Sequence, residues 1–177
     1  MKRVLLVVAL ILATLTCSAQ KQKSFFYDGI ELHNVKGWTI LPSKDGNNTT
    51  INIIRVPFQM TITKQGMPNN KSVDNILTTI VENLMETSLS GSKKAPMIKE
   101  TSPVMEGYIN NIPVKYIDIT YTKKVKQRVY GMNIYNSLFT IICSGEGGSH
   151  DAVANGVFGK ILSSFTYNPE SGTHRLF

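Results

Sequence analysis

The sequence predicts an α+β protein: an antiparallel β-sheet of about six strands flanked by helices. Three observations lead there. Short runs rich in β-branched and aromatic residues are separated by tight-turn dipeptides. Only two stretches carry apolar residues at helical spacing. Those two stretches are set apart from the strands rather than alternating with each of them, which excludes a doubly wound nucleotide-binding sheet.

Taken in order, "FFYDGIELHNVKGWTILP" reads as a short strand, a turn at Asn34 to Gly37 and a second strand around Trp38 to Leu41. "SKDGNN" is a turn cluster. "TTINIIRV" and "PFQMTITK" follow as β-rich runs, and in the second Phe58, Met60 and Ile62 alternate with polar residues, as a half-buried strand requires. Pro57 lacks a backbone donor and marks a break or a sheet edge. After "QGMPNN", Ser72 is an N-cap with Asp74 in the first helical turn. Val73, Ile76, Leu77, Ile80, Val81, Leu84 and Met85 form the apolar stripe of that helix, which ends near Gly91. A four-strand meander comes next, with tight turns at Asn110-Asn111 and Asn136-Ser137. Ser149 then caps a final helix buried through Val153, Val157, Ile161 and Leu162, and Phe165 to Tyr167 closes as a short strand.

The N-terminus has a different purpose. Met1-Lys2-Arg3 is a basic head and Val4 to Leu12 is nine consecutive apolar residues. That is a signal-peptide core, short of the roughly 20 residues of a membrane span. Cys17 offers a lipid attachment point, but Thr14 and Thr16 stand where a lipoprotein signal wants a leucine and a small residue. Cys17-Ser18-Ala19 suits the general signal peptidase, so residues 1–19 read as a cleaved signal and Gln20 as the mature start. Residues 20–24 are a polar leader, 25–167 one domain and 168–177 a loose polar tail. Cleavage takes Lys+Arg from 19 to 17 against 12 Asp+Glu, lowering the net charge from +7 to +5. Such a mild excess helps solubility and approach to anionic surfaces, and it is short of a nucleic-acid-binding signature. Cys143 is left alone, so no intramolecular disulfide forms.

Several residues together carry a family resemblance. They are Gly29-Ile30, Gly37-Trp38, Ile109 to Pro113, and the closing "FGKILSSF" from Phe158 to Phe165. Over roughly Phe25 to Tyr167 the chain resembles the PsbP/DcrB-like α/β/α sandwich family. Its members include photosystem accessory subunits, exported lipoproteins and secretion chaperones. The resemblance implies a binding or assembly module without an active site of its own, and no functional residue is carried over from it.

The residues themselves offer little chemistry. "SGEGGSHD" precedes a helix, yet it matches neither a dinucleotide fingerprint nor a P-loop; Gly145 to Ser149 reads as a strand-to-helix loop, with anion binding as the alternative. Glu146, His150 and Asp151 stand close enough in sequence to meet a metal, but HExxH and Cys/His ligand pairs are absent. Cys143 ends an aliphatic strand and reads as a small buried apolar residue rather than a nucleophile. Trp38 after Gly37 reads as a core plug. The sequence therefore gives no enzyme, no cofactor and no metal site. The candidate interaction surface is the basic turn Lys123, Lys124, Lys126 and Arg128 together with Phe25, Phe26 and Tyr27 at the domain edge.

The expected role is an exported, periplasmic, non-catalytic module that binds a protein partner in the bacterial cell envelope, with an anionic membrane surface as a further partner and nucleic acid excluded. An immunity protein that neutralises a delivered toxin is the alternative, and a hydrolase without recognisable motifs the least supported. Mass spectrometry of the mature chain checks the compartment: it should begin at Gln20, and a diacylglyceryl-modified Cys17 would replace the free protein with an anchored one.

Overall fold

The computed structural model describes residues 24–66, 72–90 and 97–171. Residues 1–23, 67–71, 91–96 and 172–177 lie outside the described residues, as do the expectations placed on them, the cleaved signal and the polar leader among them. Two sheets are formed, not one. The small sheet contains β1 (Ser24–Tyr27), β2 (Ile30–His33) and β11 (Thr166–Tyr167). The large one has eight strands rather than about six: β3 (Thr39–Asp45), β4 (Asn48–Arg55), β5 (Phe58–Gly66), β6 (Ile98–Thr101), β7 (Met105–Ile109), β8 (Ile112–Tyr121), β9 (Val125–Ile134) and β10 (Ser137–Glu146). Its order is β3-β4-β5-β10-β9-β8-β6, with β7 also on β8, and every pairing is antiparallel.

Local chemistry sets these boundaries. Asp28 and Gly29 both have positive φ, 51° and 81°, so β1 and β2 close as a two-residue hairpin where the sequence reading had one short strand. Gly29 is also needed for space, because a Cβ there would fall 2.5 Å from the Asn168 carbonyl oxygen. Asn110 and Asn111, at φ 45° and 64°, make the expected turn between β7 and β8. The β9–β10 turn falls at Tyr135-Asn136, one residue early, and Ser137 already pairs with Ile134. Val56 and the cis-linked Pro57 turn β4 into β5. Pro42 sits in β3, an outer strand, where a missing donor costs no ladder bond on the open side.

Alternation gives the large sheet two unlike faces. One carries the cross-strand rows Ile53–Met60–Cys143–Arg128–Asp118 and Ile51–Ile62–Ile141–Tyr130–Tyr116. It is covered by the small sheet and the C-terminal helical segment, burying Phe25, Leu32, Trp38, Phe139, Phe158 and Phe165 in one core. That segment is a π-helical stretch, Ala152–Val157, followed by α2 (Gly159–Leu162), not the single helix expected. Ser149 accepts a hydrogen bond from the Ala152 N–H at 3.1 Å and so caps it as anticipated.

Helix α1 (Val73–Ser90) covers part of the second face. Ser72 caps it, its Oγ accepting from the Asn75 N–H at 3.2 Å. Leu77 and Val81 pack with Ile117, Ile119 and Val129 in a second, smaller core over β8 and β9. Gly131 permits that close approach, since a Cβ there would meet the Val73 side chain at 2.6 Å. The helix stops there, leaving the sheet beyond β10 uncovered by it. Gly29→Ala combines a left-handed backbone angle with a clash against backbone, and should lower unfolding free energy by about 2 kcal/mol or more in urea titration.

Candidate interaction surface

The buried ionisable groups are engaged in holding the fold. Arg128 is only 6% exposed, although the sequence reading placed it on a surface patch. Its guanidinium donates to both carboxylate oxygens of Asp118, at 2.6 and 2.8 Å, and to Asp151 Oδ1 at 2.8 Å, and lies 4.5 Å from the Tyr116 ring centre. Asp118 and Arg128 are direct partners in the β8–β9 register, and Asp151 reaches them from the C-terminal segment. Burial disfavours the guanidinium charge, but the Asp118 hydrogen bonds outweigh it and hold the pKa above its ordinary value. His150 joins the same cluster, with Nε2 3.2 Å from Thr120 Oγ1 and Nδ1 3.7 Å from Asp118.

A second tie joins the two sheets. Asp28, in the β1–β2 turn, accepts hydrogen bonds from Lys44 at 2.7 Å and from Lys64 and buried Thr49. Burial would raise the carboxyl pKa; the Lys44, Lys64 and Thr49 hydrogen bonds and the Lys64 charge overcome that and lower it to about 2.

Nucleophilic chemistry finds no support in this geometry. Cys143 is fully buried between Met60 and Arg128 in the sheet register, and burial pushes its thiol pKa up, the reverse of an activated cysteine. Burial likewise raises Tyr130. Among the described residues no three His, Cys, Asp or Glu side chains converge on a metal position. Gly145 and Glu146 belong to β10, the Gly147 N–H donates to the Lys124 carbonyl, and Ser149 is the cap. A shallow cleft of about 430 Å³ beside the start of α1 is lined by Tyr108, Pro113, Lys115 and Asn133, and Lys115 there is bound to Asp74 at 2.7 Å.

The residues expected on an interaction surface separate. Lys123 and Lys124 are exposed at the β8–β9 turn, Lys126 is half-buried and donates to Thr120, and Arg128 is interior. Phe25 is a core residue at 4% exposure, and Phe26 and Tyr27 are half-buried in β1. They form no common patch. Trp38 is the core plug expected, packed on Phe158 with ring centres 5.1 Å apart.

The residues that do form an exposed continuous surface lie on the second face, beside α1. There the rows read Ser43–Thr50–Thr63–Thr140, Leu41–Asn52–Thr61–Ile142 and Thr39–Ile54–Gln59–Ser144. Leu41 is 52% exposed, while Thr50, Asn52, Ile54, Thr61 and Thr63 are half-buried, as on the open face of a sheet. Among the strand residues on this face of β3, β4, β5 and β10, only Asp45 and Glu146, at the rims, carry charge. Depletion of charge with retained aliphatic and amide groups is the composition of an interface centre rather than of ordinary surface. The sequence holds this signal in the alternate Thr, Asn and Gln positions of "NTTINII" and "QMTITKQ", but alternation by itself marks them only as the second face of a half-buried strand.

No family model matches the chain, and no curated protein matches it. Among solved structures it is similar to the cyanobacterial PsbP protein CyanoP from Synechocystis, at 13% identity and a TM-score of 0.56, over 83% of this chain and 94% of that one. A protein from Bacteroides thetaiotaomicron aligns at 11% identity and a TM-score of 0.45, over 84% of this chain and 49% of its own.

Two outcomes check the ties. Arg128→Met should cost about 3–5 kcal/mol in denaturant unfolding because it strands Asp118, whereas Arg128→Met with Asp118→Leu should recover most of the loss. Asp28 has a folded pKa of about 2 against an ordinary 3.8, so its contribution of about 2 kcal/mol is present above pH 4 and lost as pH falls towards 2. Asp28→Asn should therefore flatten the pH dependence of the urea midpoint across that window. The architecture and the solved-structure likeness agree: this chain has the PsbP-like α+β fold.

Proposed function

We propose that the chain is a non-catalytic binding module of the bacterial cell envelope that holds a protein partner on the half of its large sheet that no described element covers. One observation carries the reading: among the described residues, three cross-strand rows of uncharged Thr, Ser, Asn, Gln, Ile and Leu side chains lie open in a chain whose net charge is +7, or +5 once residues 1–19 are removed. A solvated sheet face in such a chain would be expected to carry its share of lysine. The basic head and apolar core of residues 1–12 support export, and the engagement of Arg128, Asp118 and Cys143 in the interior supports a role without catalysis. The fold likeness agrees with this role at the level of architecture only.

A photoreactive amino acid placed at Thr61 tests it in intact cells of the source organism. Irradiation should yield one discrete adduct at Thr61, and none from the same group at Lys160, exposed on α2. Failure to form an adduct at Thr61, Asn52 and Gln59 alike would overturn the reading.

A further inference from the structure

We infer that β7 is a docking edge: it takes an extended peptide segment of a partner protein as a further antiparallel strand, with a lysine or arginine of that segment opposite Glu106. The site lies on the far side of the large sheet from the uncharged rows and does not rest on the preceding reading.

Hairpin geometry decides which backbone groups of β7 face outward. Asn110 and Asn111 close a two-residue turn, so Ile109 and Ile112 exchange hydrogen bonds, and the bonded pairs recur at Gly107–Val114 and Met105–Tyr116. Glu106 and Tyr108 fall between those pairs, and their N–H and C=O groups point away from β8. Among the described residues no strand or loop takes up these groups. The opposite edge of the sheet is built differently. There the Gly46-Asn47 turn makes Ile40, Pro42 and Lys44 the outward residues of β3. Pro42 removes the middle donor and Lys44 adds a charge, and both discourage strand addition. β7 contains neither proline nor lysine. One edge is blocked; the other can pair.

Side chains set the guest's chemistry. Glu106 and Tyr108 are exposed, Tyr108 to 78%, and alternation puts them on the sheet face of Lys115 and Gly131. Together they form the outer margin of the 430 Å³ cleft, which Val73, Gly131 and Asn133 bound on the inner side. A strand added to β7 places one residue directly opposite each of the two, with Cβ atoms about 5 Å apart, at the mouth of that cleft. Lys115 is the partner of Glu106 across β8, but its Nζ is bound to Asp74 at 2.7 Å. Two carboxylates against one ammonium leave the site net negative in a chain that is positive as a whole. That selects a cation opposite Glu106, while the exposed ring of Tyr108 favours an aromatic or β-branched residue opposite itself. In antiparallel order the guest reads aromatic, any residue, basic from its N-terminal side.

The probe is a cyclic β-hairpin peptide with one strand reading "TYVKT", its tyrosine and lysine N–H groups facing outward, titrated into the ¹⁵N-labelled chain from Gln20. One counterpart replaces the lysine by glutamate, and another carries N-methyl groups on the tyrosine and lysine backbone nitrogens. The lysine peptide should shift the Glu106 and Tyr108 amide resonances and slow their solvent exchange. It should bind about threefold or more tighter than the glutamate peptide, and Glu106→Lys should reverse that order. The N-methylated peptide, stripped of the donors that pair with β7, should leave both amides unmoved. Unmoved Glu106 and Tyr108 amides with the lysine peptide, equal binding of the N-methylated peptide, or a preference for glutamate in the unsubstituted chain would each overturn the inference. Slow exchange of those two amides without any peptide, lost on dilution, would assign the edge to a second copy of this chain and overturn it as well.

Discussion

The cross-strand rows of the large sheet must be satisfied on both faces, and the covering elements divide that task unequally. On one face the small sheet and the C-terminal segment close over aliphatic and aromatic rows from β3 to β8. On the other, α1 lies over β8 and β9, with Ile142 of β10 packed at the edge of the same core, and the outer strands β5, β4 and β3 present mostly Thr, Asn and Gln. Leaving aliphatic rows in water would cost about 25 cal/mol for each Å² left unburied. The change from Val129 and Ile117 under the helix to Asn52 and Thr61 beyond it is how the sequence avoids that cost. The same change produces a flat, uncharged floor.

Fixing such a floor requires that the covered face be rigid. Arg128 and Asp118 meet in direct register and bring Asp151 of the C-terminal segment onto the sheet, while Asp28 and Gly29 bind the small sheet to β3, β4, β5 and the chain around Asn168. Both ties exchange solvation for well-formed charged hydrogen bonds, an arrangement that specifies geometry more reliably than it adds stability. Cys143 and Tyr130, adjacent to Arg128 in these rows, are buried packing groups. Titratable side chains that a catalytic reading would want available are in this way part of the framework.

Much of the architecture was legible in the sequence where local chemistry decides it. Asn110-Asn111, Ser72 and Ser149 act as read, because positive φ and side-chain capping are properties of two to four residues. Asp28-Gly29 was missed although it is a strong hairpin signal, since β1 and β2 have four residues each, too few for alternation to stand out. The split of the outer edge into β6 and β7 around Pro103 was hidden inside one extended run. Arg128 was assigned to a basic patch by its neighbours in sequence. A hairpin folded at Lys123 already places it opposite Asp118, so strand register, not composition, held the answer. The candidate surface was least legible: its Thr and Asn residues are individually ordinary, and only the lateral alignment of four strands makes them continuous.

The central claim is that the open half-face serves recognition and not folding. Asn52→Lys/Thr61→Lys places two charges at its centre, and the measurement is unfolding free energy alongside partner capture in the same cells. The account predicts a stability loss of no more than about 1–2 kcal/mol, from the Thr61 Oγ1 to Asn52 Oδ1 hydrogen bond and from two like charges in direct cross-strand register, with loss of the photoadduct formed from Gln59. Retention of that adduct, or a stability loss of several kcal/mol, would contradict it.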